Sequence, residues 1–129
     1  MATNPTVISP RQKARATVTV STEAAGVSDV IDIGGYDVVS VEMSTAWTAA
    51  YLTFNGAVSS SASVGKIYNT TAASSIELLY TTTASYQLSL DPNILSGFRY
   101  IQLASVSSLG AATAQAAART LYLGLVERT

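Results

Sequence analysis

The feature that most constrains this chain is the alternation in its closing stretch, Phe98 to Arg128. In FRYIQLA, Phe98, Tyr100, Gln102 and Ala104 alternate with Arg99, Ile101 and Leu103; in LYLGLVE, Leu121, Leu123, Leu125 and Glu127 alternate with Tyr122, Gly124 and Val126. A repeat of two places successive side chains on opposite faces of a strand. Both faces carry apolar residues, so both strands are predicted to be covered on both sides. The run between them, LGAATAQAAA, is rich in a good helix former but supplies no wide apolar face. It reads as a loop.

The same grammar runs back through the chain. ATVTVST sets Val18 and Val20 against Thr17 and Thr19, and VSDVIDI follows as a second short strand. Gly34-Gly35 reads as a turn. YDVVSVEM puts Val39, Val41 and Met43 on one face and Val38, Ser40 and Glu42 on the other, and AAYLTFNG ends in Asn55-Gly56, a strong turn signal. Short strands are expected near 66–69, in SIELLY and in SYQLSL, where Tyr86, Leu88 and Leu90 share a face. Asp91-Pro92-Asn93 predicts a turn with a short helical turn through Leu95, ended by Gly97. Eight or nine short strands with turn chemistry between them make an all-β chain, an antiparallel β-sandwich of jelly-roll type.

Residues 1–14 form the one departure from this pattern. Pro5 and Pro10 disfavour helix and central strand, and Arg11, Lys13 and Arg15 bring three positive charges with no acid before Glu23. The expected organisation is an extended basic arm over 1–14 and a single β-sandwich domain over 15–129. The arm suits docking on an acidic neighbouring surface; a frayed, solvated terminus is the alternative.

Composition narrows function mainly by exclusion. Of 129 residues, 48% are hydrophobic and only 12% charged, against a usual charged fraction of about 25%. Either part of the surface is hidden in a permanent assembly, or a Ser/Thr coat replaces charge. A net charge of −1 offers no field for nucleic acid. There is no cysteine and no histidine, which removes disulfides, thiol nucleophiles and the commonest general base and metal ligand. No signal-peptide core or membrane-length apolar run is present. The expectation is a soluble, non-enzymatic protein without cofactors, membrane contact or direct nucleic-acid contact.

Few residues suggest chemistry. Asp29, Asp32 and Asp37 surround Gly34-Gly35 and could offer oxygens to calcium, though without a known loop spacing; ordinary strand-edge acids are the simpler reading. Glu23, Glu42, Glu77 and Asp91 are scattered, with nothing to choose a glycosidase pair. Arg99 and Arg119 stand near the starts of the last two strands, where each could pair with Asp91 or a neighbour's acid. Trp47, at a strand entry, is the aromatic to weigh as a ligand platform against a packing or interface role. Tyr51, Tyr86, Tyr100 and Tyr122 fall inside strand patterns and suit core or subunit contacts.

The strings YDVVSVEMSTAWTAAYLTFNGA, FRYIQLASVSS and QAAARTLYLGLVER, over residues 36–56 and 98–128, resemble small structural proteins of tailed bacteriophages. The resemblance implies a virion role. Similar proteins decorate or cement the capsid, commonly as jelly-roll trimers seated where capsomers meet. On that basis the partners are the major capsid protein and two further copies of this chain. The place is the capsid exterior, after synthesis in the host cytoplasm. Arg11, Lys13 and Arg15 would reach across the shell, while Tyr100, Tyr122, Trp47 and the Ala-rich loop would form the subunit seam. The same resemblance admits a tail, baseplate or head-fibre component. A carbohydrate- or receptor-binding β-sandwich remains the alternative outside the virion frame.

Overall fold

A computed structural model of the chain describes residues 13–20, 26–69 and 76–128. Its strands are β1 (Lys13–Val20), β2 (Ile31–Asp32), β3 (Tyr36–Glu42), β4 (Ala50–Ala57), β5 (Gly65–Lys66), β6 (Tyr68–Asn69), β7 (Ile76–Glu77), β8 (Tyr80–Thr82), β9 (Gln87–Ser89), β10 (Tyr100–Val106) and β11 (Arg119–Glu127). A single helical turn, α1 (Pro92–Leu95), precedes β10. The pairing is nested. β1 pairs with β11, β2 with β10, β3 with β9 and β4 with β8, all antiparallel. The chain is therefore one long double-stranded ribbon whose far end, between β4 and β8, carries β5, β6 and β7. Rolling that ribbon brings β11 beside β3 and β10 beside β4. Two sheets result, β1-β11-β3-β9 and β2-β10-β4-β8, with β5 also on β4. This is the jelly roll.

The core lies between the sheets. Val18, Val20, Val38, Val41, Leu121, Leu123 and Leu125 face it from one side, and Leu52, Phe54, Ile101 and Leu103 from the other. The predicted alternation holds in the closing strands, and Leu121, Leu123 and Leu125 form the buried row. Their second faces differ. On β10, Ala104 and Val106 are also buried, but on β11 Tyr122, Gly124 and Val126 are only half-buried. β11 is thus open on its outer side rather than covered twice.

Two local expectations are corrected. Gly124 pairs with Ser40 while Leu125 pairs with Val38, so Val39 is an extra residue in β3. This bulge flips the strand's facing: Val38, Val41 and Met43 are buried, and Val39 drops out of the inward row. Asn55-Gly56 is not a turn but part of β4, opposite Gln102 and Ile101. Gly56 is small for packing reasons, because a Cβ there would come within 2.8 Å of the Phe98 ring.

The other turn signals are met. Gly35, at φ +90°, turns β2 into β3. The Asp91 side chain accepts from Asn93 N at 3.0 Å to cap α1, with Pro92 in its first turn. The run from 107 to 118 is a loop with one bridge, Ala112 to Val106. Among the described residues no helix is long and apolar enough to cross a membrane.

Candidate functional site

The outer face of the β1-β11-β3-β9 sheet holds the most structured surface. Register sets two rows across it, Thr17–Tyr122–Glu42–Gln87 and Arg15–Gly124–Ser40–Ser89. Gly124 adds no side chain to the second row, and the Ser40 side chain leans into the space above it. A Cβ at Gly124 would land on Ser40 Oγ, so the bulge in β3 and the missing side chain belong together. The outcome is a recess of about 240 Å³ floored by Gly124 and Ser40 and rimmed by Arg15, Glu42, Gln87 and Tyr122.

The rim is prearranged. The Arg15 guanidinium lies 4.6 Å from the centroid of the Tyr122 ring, a cation–π contact worth about 0.5–1 kcal/mol when exposed. Gln87 Nε2 donates to Glu42 Oε1 at 2.9 Å, and among the described residues nothing donates to the second carboxylate oxygen. Among the described residues neither Arg15 nor Glu42 has an ion-pair partner. Gly124→Ala is expected to destabilise the fold by about 1–3 kcal/mol, the usual cost of overpacking. Ser40→Ala in the same chain should recover part of that loss. Urea unfolding of the single and double variants checks both.

Of the residues expected to act, Arg15 and Tyr122 are brought together, although one was assigned to an arm and the other to a seam. Arg15 is not in an arm at all; it sits in β1, opposite Gly124. Lys13 opens the same strand, and its side chain lies outside the described residues, as do Arg11, the rest of the arm before β1, and Glu23. Tyr100 is on the other sheet, its ring 5.2 Å from the Arg99 guanidinium. Arg99 in turn holds Asp32 through Nε at 3.3 Å and Nη2 at 3.1 Å. The hydrogen bond from Arg99, then that from Gly34 N, lowers the Asp32 pKa below the usual carboxylate value. Such an exposed pair ties β2 to the entry of β10 with little net stabilisation. Tyr100 and Tyr122 therefore project from opposite outer faces of the sandwich. Only a head-to-tail contact between copies could use both in one seam.

Trp47 requires a correction. It is 4% exposed, belongs to the core cluster, and donates its indole N–H to Ala50 O at 3.3 Å. It offers no platform to a ligand and no area to a neighbouring subunit. The aspartates also separate: Asp32 goes to Arg99 and Asp37 to Arg128 at 2.8 Å. No cluster of His, Cys, Asp or Glu among the described residues could hold a metal. Arg119 bonds Thr48 Oγ1 at 2.9 Å rather than an acid.

That last contact belongs to a network the sequence did not announce. Gln115, 3% exposed within the Ala-rich loop, accepts from Thr48 N at 2.7 Å and donates to Thr48 O and Ser105 Oγ. A lone long amide in a run of small residues was the available signal. A second hollow, about 370 Å³, opens nearby between Tyr51, Thr81, Val106, Ser107 and Thr113, and its lining carries no charge.

No protein-family model matches this chain, and no curated protein matches it. A solved structure does: the SPBc2 prophage-derived protein YomS superposes with a TM-score of 0.53 at 15% identity, over 96% of this chain and 100% of that one. At that identity the likeness is one of fold, and it extends across the whole jelly roll.

Proposed function

We propose that this chain is a structural protein of a phage virion that decorates and stabilises the capsid shell, without enzymatic activity. The observation that carries the proposal is the sharing of one complete fold, end to end, with a prophage-derived protein. The surface agrees with it. Charged residues are few, and two of the described arginines are spent on internal ion pairs with Asp32 and Asp37. Clamping a shell needs many modest contacts rather than one tight one, because repeated copies multiply a weak affinity.

Two measurements test this. Light scattering on the purified chain should give a trimer, three chains of 13.4 kDa or about 40 kDa, the assembly expected of a threefold clamp. Co-sedimentation with assembled, undecorated shells should pellet the protein at hundreds of copies per particle. Because β1 already pairs Lys13 with Val126, the arm is best removed by deleting residues 1–12. That truncation should stay folded and lose most shell binding; unchanged binding would remove the arm from the contact. A monomer that never pellets with shells would overturn the decorating role and leave the tail, baseplate or head-fibre assignment.

A further inference from the structure

We propose that the recess over Gly124 is a binding site for a neutral sugar ring. This goes beyond the virion role and does not depend on it. The recess presents both hydrogen-bonding characters at once. Arg15 supplies guanidinium N–H donors that no carboxylate among the described residues neutralises, and Glu42 supplies a carboxylate held in place by Gln87. Ser40 adds a hydroxyl at the floor, above Gly124. A sugar hydroxyl both donates and accepts, so neighbouring hydroxyls on one ring can meet a carboxylate and a guanidinium together.

Other ligand classes fit less well. An anion drawn to Arg15 faces Glu42, and a cation drawn to Glu42 faces Arg15. A metal would need several oxygen ligands converging, and no such group exists among the described residues. An apolar peptide anchor would bury the charged rim unpaired. Size agrees as well: about 240 Å³ lies below the roughly 300–1,000 Å³ of sites for drug-sized ligands, so the recess suits one ring rather than a chain. The Arg15 guanidinium already lies over the Tyr122 ring in the free protein, a contact that limits the entropy lost on binding. The jelly roll itself also occurs in lectins, although the fold alone would not assign a function.

The test uses the full chain, isotopically labelled, titrated with the methyl glycosides of glucose, galactose, mannose and N-acetylglucosamine and followed by amide shifts. At least one should give saturable shifts confined to residues 40–42, 87 and 122–124, with weaker binding of glucuronate and glucosamine. Glu42→Gln and Arg15→Gln should each weaken binding about tenfold or more, the scale of one lost hydrogen bond to a charged group, while the thermal midpoint falls by no more than a few degrees, the scale of one exposed cation–π contact. Absence of saturable shifts with all four glycosides overturns the proposal. So does binding that survives both substitutions. If the same amides instead shift with protein concentration alone, and light scattering shows self-association lost in Glu42→Gln, the recess is a contact between copies and the sugar site is refuted.

Discussion

Trp47→Ala is expected to lower stability by about 3–5 kcal/mol, the range for removing a large buried aromatic side chain. The indole is 4% exposed within the core cluster that also contains Met43, Leu52 and Phe54. Its N–H closes the turn that leads into β4 by bonding Ala50 O, while Trp47 N bonds Ser44 O at 3.3 Å. Deletion therefore removes apolar burial and leaves a cavity at the entry to a central strand. Domains of this kind hold only about 5–15 kcal/mol in total, so the variant should sit close to its unfolding transition. Urea denaturation should show a large fall in the midpoint with an unchanged slope. Trp47→Phe should lose far less, because the ring volume is largely kept and only the N–H bond goes. An Ala variant as stable as the parent would mean that the indole is not packed in the core. The consequence for function is direct: any loss of binding in Trp47→Ala reports unfolding, and recognition has to be sought on the outer sheet faces.

What the sequence disclosed and what it hid divide along a physical line. Period-two patterning is a local property, and it located the long strands and their inward rows, Leu121 to Leu125 above all. Turn chemistry is also local, and Gly34-Gly35 and Asp91-Pro92 behave as their backbone preferences require. The failures are all set by partners far away in the chain. Asn55-Gly56 looks like a hairpin turn, but Phe98 needs the space that a side chain at Gly56 would fill. Val39 looks like a core residue, but Gly124 opposite Ser40 places a bulge there. The recess could not be seen either, since Arg15, Glu42 and Tyr122 are separated by long stretches of chain and meet only through the β1-β11-β3 register. Fold class is written in local pattern, whereas the site is written in register.

Gln115→Ala is the second substitution expected to act strongly, at about 3 kcal/mol, since leaving a buried polar group unpaired costs about 1–3 kcal/mol and several groups lose their partner together. The Gln115 amide serves Thr48 as a neighbouring strand would, accepting from its N–H at 2.7 Å and donating to its carbonyl at 3.1 Å. The same nitrogen donates to Ser105 Oγ at 2.9 Å, on the buried face of β10. Thr48 Oγ1 then accepts from Ala116 N and from Arg119 Nη2, at the start of β11. One side chain thus pins the loop that carries the chain from one sheet to the other, through a fully buried bond to Ser105 and a pair of bonds to the half-buried Thr48. Thermal unfolding of Gln115→Ala should show a drop of roughly 10 °C, from the usual several degrees per kcal/mol in domains near this size. Hydrogen exchange at the Thr48 amide should accelerate before that of β10. Gln115→Glu sharpens the argument, because it keeps the volume and the acceptor but replaces the donor with charge. At neutral pH a buried carboxylate would face the Thr48 carbonyl, so this variant should be less stable than Gln115→Ala. Burial and the facing carbonyl raise that carboxyl's folded pKa above its unfolded value, so its stability should recover as pH falls through the folded pKa. If Gln115→Glu matched the parent at neutral pH, the amide nitrogen would not be the group that holds the loop.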